Sequence, residues 1–134
     1  MRMLTDHISS VENECRCGCG RFGLDYELAI VLELWRARYG EVMRFNRMFS
    51  CQEHNNRPKN EKNERGQYGC GSKSTSRHPD GTAADFKFDN VTPITLFKDL
   101  DSEYPTSYGI GVYDWGVHLD VRTKRARWDE RSVN

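Results

Sequence analysis

Between Trp115 and Arg122 the chain reads WGVHLDVR, and its alternation leaves little conformational freedom. Val117, Leu119 and Val121 interleave with His118, Asp120 and Arg122, and a period of two belongs to a β-strand. The strand can bury its apolar face only if the fold supplies a sheet. The opposite face then carries three ionisable side chains in a row. Taken alone, that row has a plain explanation as the solvated side of a half-covered sheet. It gains a second meaning if other residues of matching chemistry converge on it.

Such residues occur upstream, in SRHPDGTAADF (76–86). His78 and Asp85 lie in a polar, loop-like part of the chain, separated by small residues. They are either two unrelated surface groups or two ligands of one metal. A catalytic zinc takes three protein ligands from His, Asp or Glu and leaves a fourth position to water. His78, Asp85 and His118 make that set, and Gly81 and Ala83 are expected to let the backbone pass close to the metal.

The remaining elements follow from periodicity. DYELAIVLELWRARYG (25–40) places Leu28, Val31, Leu32 and Trp35 on one helical face, with Gly40 as a stop. VMRFNRMFS (42–50) and AADFKFD (83–89) alternate as strands do. VTPITLFKDLDSEY (91–104) reads as a helix with Thr92 at the N-cap and Pro93 in the first turn. SYGIGVYD and WGVHLDVRTKRARW read as two strands joined by a tight turn near Asp114–Gly116. Residues 1–23 read as an irregular arm, and the polar tract from Gln52 to Ser76 as a long functional or mobile loop. The expected class is α+β, two main helices on a small antiparallel sheet, in a single domain over residues 1–134.

Charge excludes some partners. Twenty basic and twenty acidic side chains cancel, so nothing advertises a nucleic-acid or anionic-membrane surface. No run approaches the roughly 18 apolar residues of a spanning helix, so no membrane insertion is expected. MRMLTDHISS has no apolar segment of a secretory signal, which points to synthesis in a cytoplasm with delivery by another system. The cysteines are Cys15, Cys17, Cys19, Cys51 and Cys70. Their odd number argues against a disulfide framework. C-x-C-x-C at 15–19 resembles half of a metal site, but structural zinc sites use C-x₂₋₄-C pairs, so buried or paired thiols are the expected reading.

Ser76-Arg-His78-Pro-Asp-Gly81-Thr-Ala83-Ala-Asp85, followed by H-x-D on a strand, resembles the M15 peptidases. These are zinc D-Ala-D-Ala carboxypeptidases and peptidoglycan endopeptidases that share their fold with the hedgehog signalling domain. CRCGCG, FSCQEHNN and the closing HLDVR...RW look like the branch found in bacteriophage genomes. The resemblance implies one zinc per chain on His78, Asp85 and His118. It also implies hydrolysis of peptidoglycan stem peptides by a monomeric endolysin or virion-associated enzyme; a non-catalytic zinc module of the same fold is the alternative. Several relatives carry a catalytic acid three residues before the last ligand, where this chain has Trp115. Asp120 is therefore favoured as general base over Asp114. Ser76, Arg77 and Arg122 are candidates for substrate binding, and His54 reads as structural.

Overall fold

The structure, a computed structural model, describes residues 1–72 and 76–132. Its sheet has five strands: β1 (Met43–Arg47), β2 (Ala83–Phe88), β3 (Gly109–Val112), β4 (Val117–Asp120) and β5 (Ala126–Asp129). They lie in the order β1-β2-β4-β3-β5. The helices among the described residues are α1 (Ser10–Asn13), α2 (Tyr26–Tyr39), α3 (Gln52–Asn56) and α4 (Pro93–Glu103), with a single 3₁₀ turn at His78–Asp80. The class is α+β.

The two long helices begin and end where side-chain chemistry dictates. The Asp25 carboxylate accepts from the Leu28 amide at the start of α2, and Gly40 ends it in the left-handed conformation (φ 64°). Thr92 caps α4 by accepting from the Thr95 amide, with Pro93 in the first turn. Leu28, Val31, Leu32 and Trp35 of α2 and Leu96 and Leu100 of α4 are buried. They share one apolar cluster with Phe86, Phe88, Ile110, Val117 and Leu119 of the sheet. That cluster takes up one face of the sheet. The ionisable residues of β2 and β4 alternate onto the other.

Three stretches depart from expectation. The alternation of β4 ends after Asp120, and the chain returns as β5, which pairs parallel with β3. The sheet is thus mixed, because Arg122–Arg125 offers no apolar side chain that could extend the buried face of β4. The polar tract opens with α3 and is pinned by a bridge between Lys62 and Tyr68. In the N-terminal arm, α1 forms on a reciprocal capping box between Ser9 and Glu12.

Register does the rest. Arg47 pairs with Asp85, Asp85 with His118, His118 with Gly111, and Gly111 with Trp128. One row across all five strands therefore collects an arginine, an acid, a histidine, a glycine and a tryptophan on one face. The adjacent row runs Ala83, Asp120, Gly109, Ala126.

Candidate metal centre

His78 reaches this face from the 3₁₀ turn. Ser76 Oγ accepts from the His78 amide at 3.3 Å, and Gly81 closes the turn at φ 73°. A β-carbon at residue 81 would come within 2.9 Å of the Gly23 carbonyl. Glycine is needed there by the turn and its close neighbour. Ala83 is likewise buried, paired in register with Asp120.

The three groups meet closely. His78 Nε2 lies 3.4 Å from Asp85 Oδ2, and His118 Nδ1 lies 2.9 Å from Asp85 Oδ1. One ligand atom from each residue falls within 4.8 Å of the others. A tetrahedral zinc with bonds of about 2.0–2.1 Å spaces its ligand atoms about 3.4 Å apart, so the cluster needs only small adjustments to enclose one.

Both imidazoles are aimed by the nitrogen that faces away. His78 Nδ1 donates to the Met48 carbonyl at 2.6 Å, which leaves its Nε2 lone pair turned to Asp85. His118 Nε2 lies 2.8 Å from Asp120 Oδ2. This carboxylate–histidine arrangement sets tautomer and ring orientation in metal sites. Without a metal, the same proximity stores a proton. Burial pulls the His118 pKa down, but hydrogen bonds to Asp120 and Asp85 outweigh it and lift the pKa to about 9. Burial pushes the Asp85 pKa up, yet the two histidines hold it well below the usual carboxylate range. The donor set, with both rings held from behind, fits a zinc ion.

The two candidate acids fall elsewhere. Asp120 is fully buried and sits behind His118. Arg122 Nε and Nη2 donate to its Oδ1 and Oδ2, both at 2.7 Å, in a bidentate pair. Neither oxygen is left to accept a proton from water, so the geometry points away from Asp120 as base. Asp114 is exposed, accepts from the Ser132 hydroxyl at 2.6 Å, and lines a different cleft with Arg44 and Trp115. The same pairing commits the Arg122 fork to Asp120 rather than to a substrate carboxylate. Arg77 is exposed at the mouth, and among the described residues no group holds its guanidinium.

The cluster forms the floor of a cleft of about 660 Å³. Its walls include residues whose part in the site the sequence did not reveal: Arg47, Tyr113, Trp128 and Glu130. The Trp128 ring stands 5.0 Å from that of His118 and donates from Nε1 to the Tyr113 hydroxyl at 2.8 Å. A β-carbon at Gly111 would collide with this indole, and one at Gly109 would collide with the Asp120–Arg122 pair. The signal was therefore present as G-I-G in a strand, because alternate glycines mark a face that something large approaches. Apart from Asp85, Glu130 is the one acid lining the cleft among the described residues. His54 is buried away from the ligand trio, next to the Cys51 helix start.

A family model described as peptidase M15 matches residues 6–120. No curated protein and no solved structure matches the chain. No helix among the described residues is long and apolar enough to cross a membrane.

Proposed function

The chain belongs to the peptidase M15 family, and on that premise we propose that it hydrolyses peptide bonds in peptidoglycan stem peptides, with a zinc ion on His78, Asp85 and His118. The observation that carries this reading is the convergence of those three side chains, each histidine aimed from behind, on the floor of an open cleft. A zinc held there supplies Lewis-acid polarisation of the scissile carbonyl and brings the pKa of a water down to about 7.

The chain's own residues supply the rest. Met48 and Asp120 keep the ligating nitrogens turned inward, and Arg122 keeps Asp120 ionised. Glu130 accepts the proton that the attacking water loses and returns it to the leaving nitrogen as the C–N bond breaks. The Tyr113 hydroxyl accepts from Trp128 and keeps its own proton to donate to substrate. Arg77 offers a two-pronged partner to a substrate carboxylate, and Ser76 holds the His78 turn beside it. We infer that the enzyme acts as a monomer on cell walls, a reading supported by the resemblance of CRCGCG and FSCQEHNN to the bacteriophage branch of the family. Zymography on purified cell walls tests the activity: a cleared band that chelator removes and zinc restores is expected.

Asp120→Asn separates an orienting role from a basic one. The amide cannot accept from His118 and also keep the bidentate Arg122 pair, so zinc affinity at the His78 cluster is expected to fall about 10–100-fold. Competition with a chromophoric chelator measures it. With zinc at saturating concentration, turnover should largely recover, whereas loss of a base would persist at any zinc concentration.

A further inference from the structure

The peptidase site leaves unused the other tight cluster of ligand atoms. Cys15, Cys17, Cys19 and Cys51 place their four sulfurs within 4.8 Å of one another. Three of these residues are buried, and they form an apolar cluster separate from the main core. A disulfide needs only two sulfurs, about 2.0 Å apart. Here four converge, and Cys17 Sγ and Cys51 Sγ stand 3.7 Å apart. Zinc–sulfur bonds of about 2.3 Å in a tetrahedron set neighbouring sulfurs about 3.8 Å apart. The spacing is that of a metal's coordination shell.

The spacing rule that argued against a C-x-C-x-C clamp assumes an ordinary backbone. This loop curls instead. The Cys15 amide donates to the Arg21 carbonyl at 2.9 Å, closing residues 15–21 on themselves. Gly18 (φ 86°), between Cys17 and Cys19, and Gly20 (φ 79°), just after Cys19, take left-handed conformations. Alternate side chains thereby turn to one point, where Cys51 meets them from the start of α3. Donors surround the sulfurs as thiolates require: the Cys51 amide points to Cys15 Sγ at 3.3 Å and Arg21 Nε to Cys19 Sγ at 3.4 Å. Asn63 Nδ2 and Arg65 Nε hold the Cys17 carbonyl at 2.9 and 3.3 Å, which fixes the loop from the other side.

We propose that Cys15, Cys17, Cys19 and Cys51 form a second, structural site that binds one zinc ion through four thiolates. Its role follows from what Cys51 is attached to. Met48 accepts from His78 Nδ1, and the Ser50 amide donates to the His78 carbonyl at 3.4 Å. A metal on Cys51 fastens the N-terminal arm to the segment that aims His78. Zinc bound here contributes to folding directly, as at other four-cysteine sites.

The test uses the full-length His78→Ala chain, in which the histidine site is broken. This chain is expected to retain about one zinc equivalent, released by a thiol-specific mercurial. Replacement by cobalt should give an intense thiolate-to-metal charge-transfer band in the near ultraviolet. Native thiol reagents should leave the four cysteines unmodified until the metal is removed. Cys51→Ser should abolish the charge-transfer band or shift it and lower the melting temperature. If that variant fails to fold, the cobalt spectrum of His78→Ala still decides. A His78→Ala chain without metal, or with its four cysteines freely titrating or joined as disulfides, overturns the proposal. None of these readouts depends on peptidase activity, so failure of the enzymatic reading would leave this one standing.

Discussion

Asp85→Asn is expected to strip zinc from the histidine site and to lower turnover on peptidoglycan roughly 10³–10⁴-fold. The size follows from what the metal contributes: several kcal/mol of transition-state stabilisation, at about 1.4 kcal/mol per factor of ten. Asp85 lies between the two histidines and is within 3.4 Å of both, so no other acid can take its place. The substitution is also gentle on the fold. An asparagine oxygen can still accept from His118, and β2 keeps its apolar face of Ala84, Phe86 and Phe88 in the core. Zinc content and kcat measured on the same sample check it, with the melting curve as a folding control. The sulfur site should keep its metal, so total zinc falls by about one equivalent and not to zero. Undiminished zinc with undiminished turnover would remove Asp85 from the ligand set.

Glu130→Gln should leave zinc in place and lower kcat roughly 10²–10⁴-fold, the usual cost of losing a general base. Glu130 follows β5 directly, and its amide donates to the Val112 carbonyl at 2.9 Å. Its backbone is therefore pinned beside the row that holds His118 and Trp128, while its side chain stays exposed in the cleft. The isosteric amide keeps the shape and cannot take a proton. Zinc content and KM should stay close to those of the unaltered chain, so that the loss falls on kcat, a split that a merely structural residue would not produce. Asp114→Asn, in the other cleft, should behave as the unaltered chain. Full turnover in Glu130→Gln would exclude Glu130 as the proton acceptor.

Much of this arrangement could be read from the chain before any coordinates. Helical periodicity located α2 and α4, since Leu28, Leu32, Trp35, Leu96 and Leu100 all face the buried core. Alternation located β2 and β4 and so put Asp85 and His118 on one face. Side-chain direction along a strand does not reveal what stands behind a ring. Asp120 shares that face with His118, yet only the register shows it on the far side of the imidazole, locked to Arg122. Glu130 and Trp128 were hidden for a different reason. Their place depends on β5 crossing to the far side of β3, a pairing decided by the polar turn at 122–125 and by the two glycines of β3. Cys15, Cys17 and Cys51 are buried thiols as expected, but the convergence of the cysteines on one point was hidden because spacing rules presume a backbone that Gly18 and Gly20 do not follow. In each case the missing information was tertiary, and the residue types carrying it were already unusual for their element.

The reading of the histidine cluster as a zinc peptidase centre stands or falls on mass spectrometry of purified peptidoglycan after digestion. The zinc-loaded chain and its Asp85→Asn variant should be run side by side, each with and without chelator. The expected result is new peptide termini within the stem peptides for the zinc-loaded chain alone, lost on chelation and regained when zinc is restored. Intact stem peptides under every condition, or the same cleavage by Asp85→Asn, would contradict it.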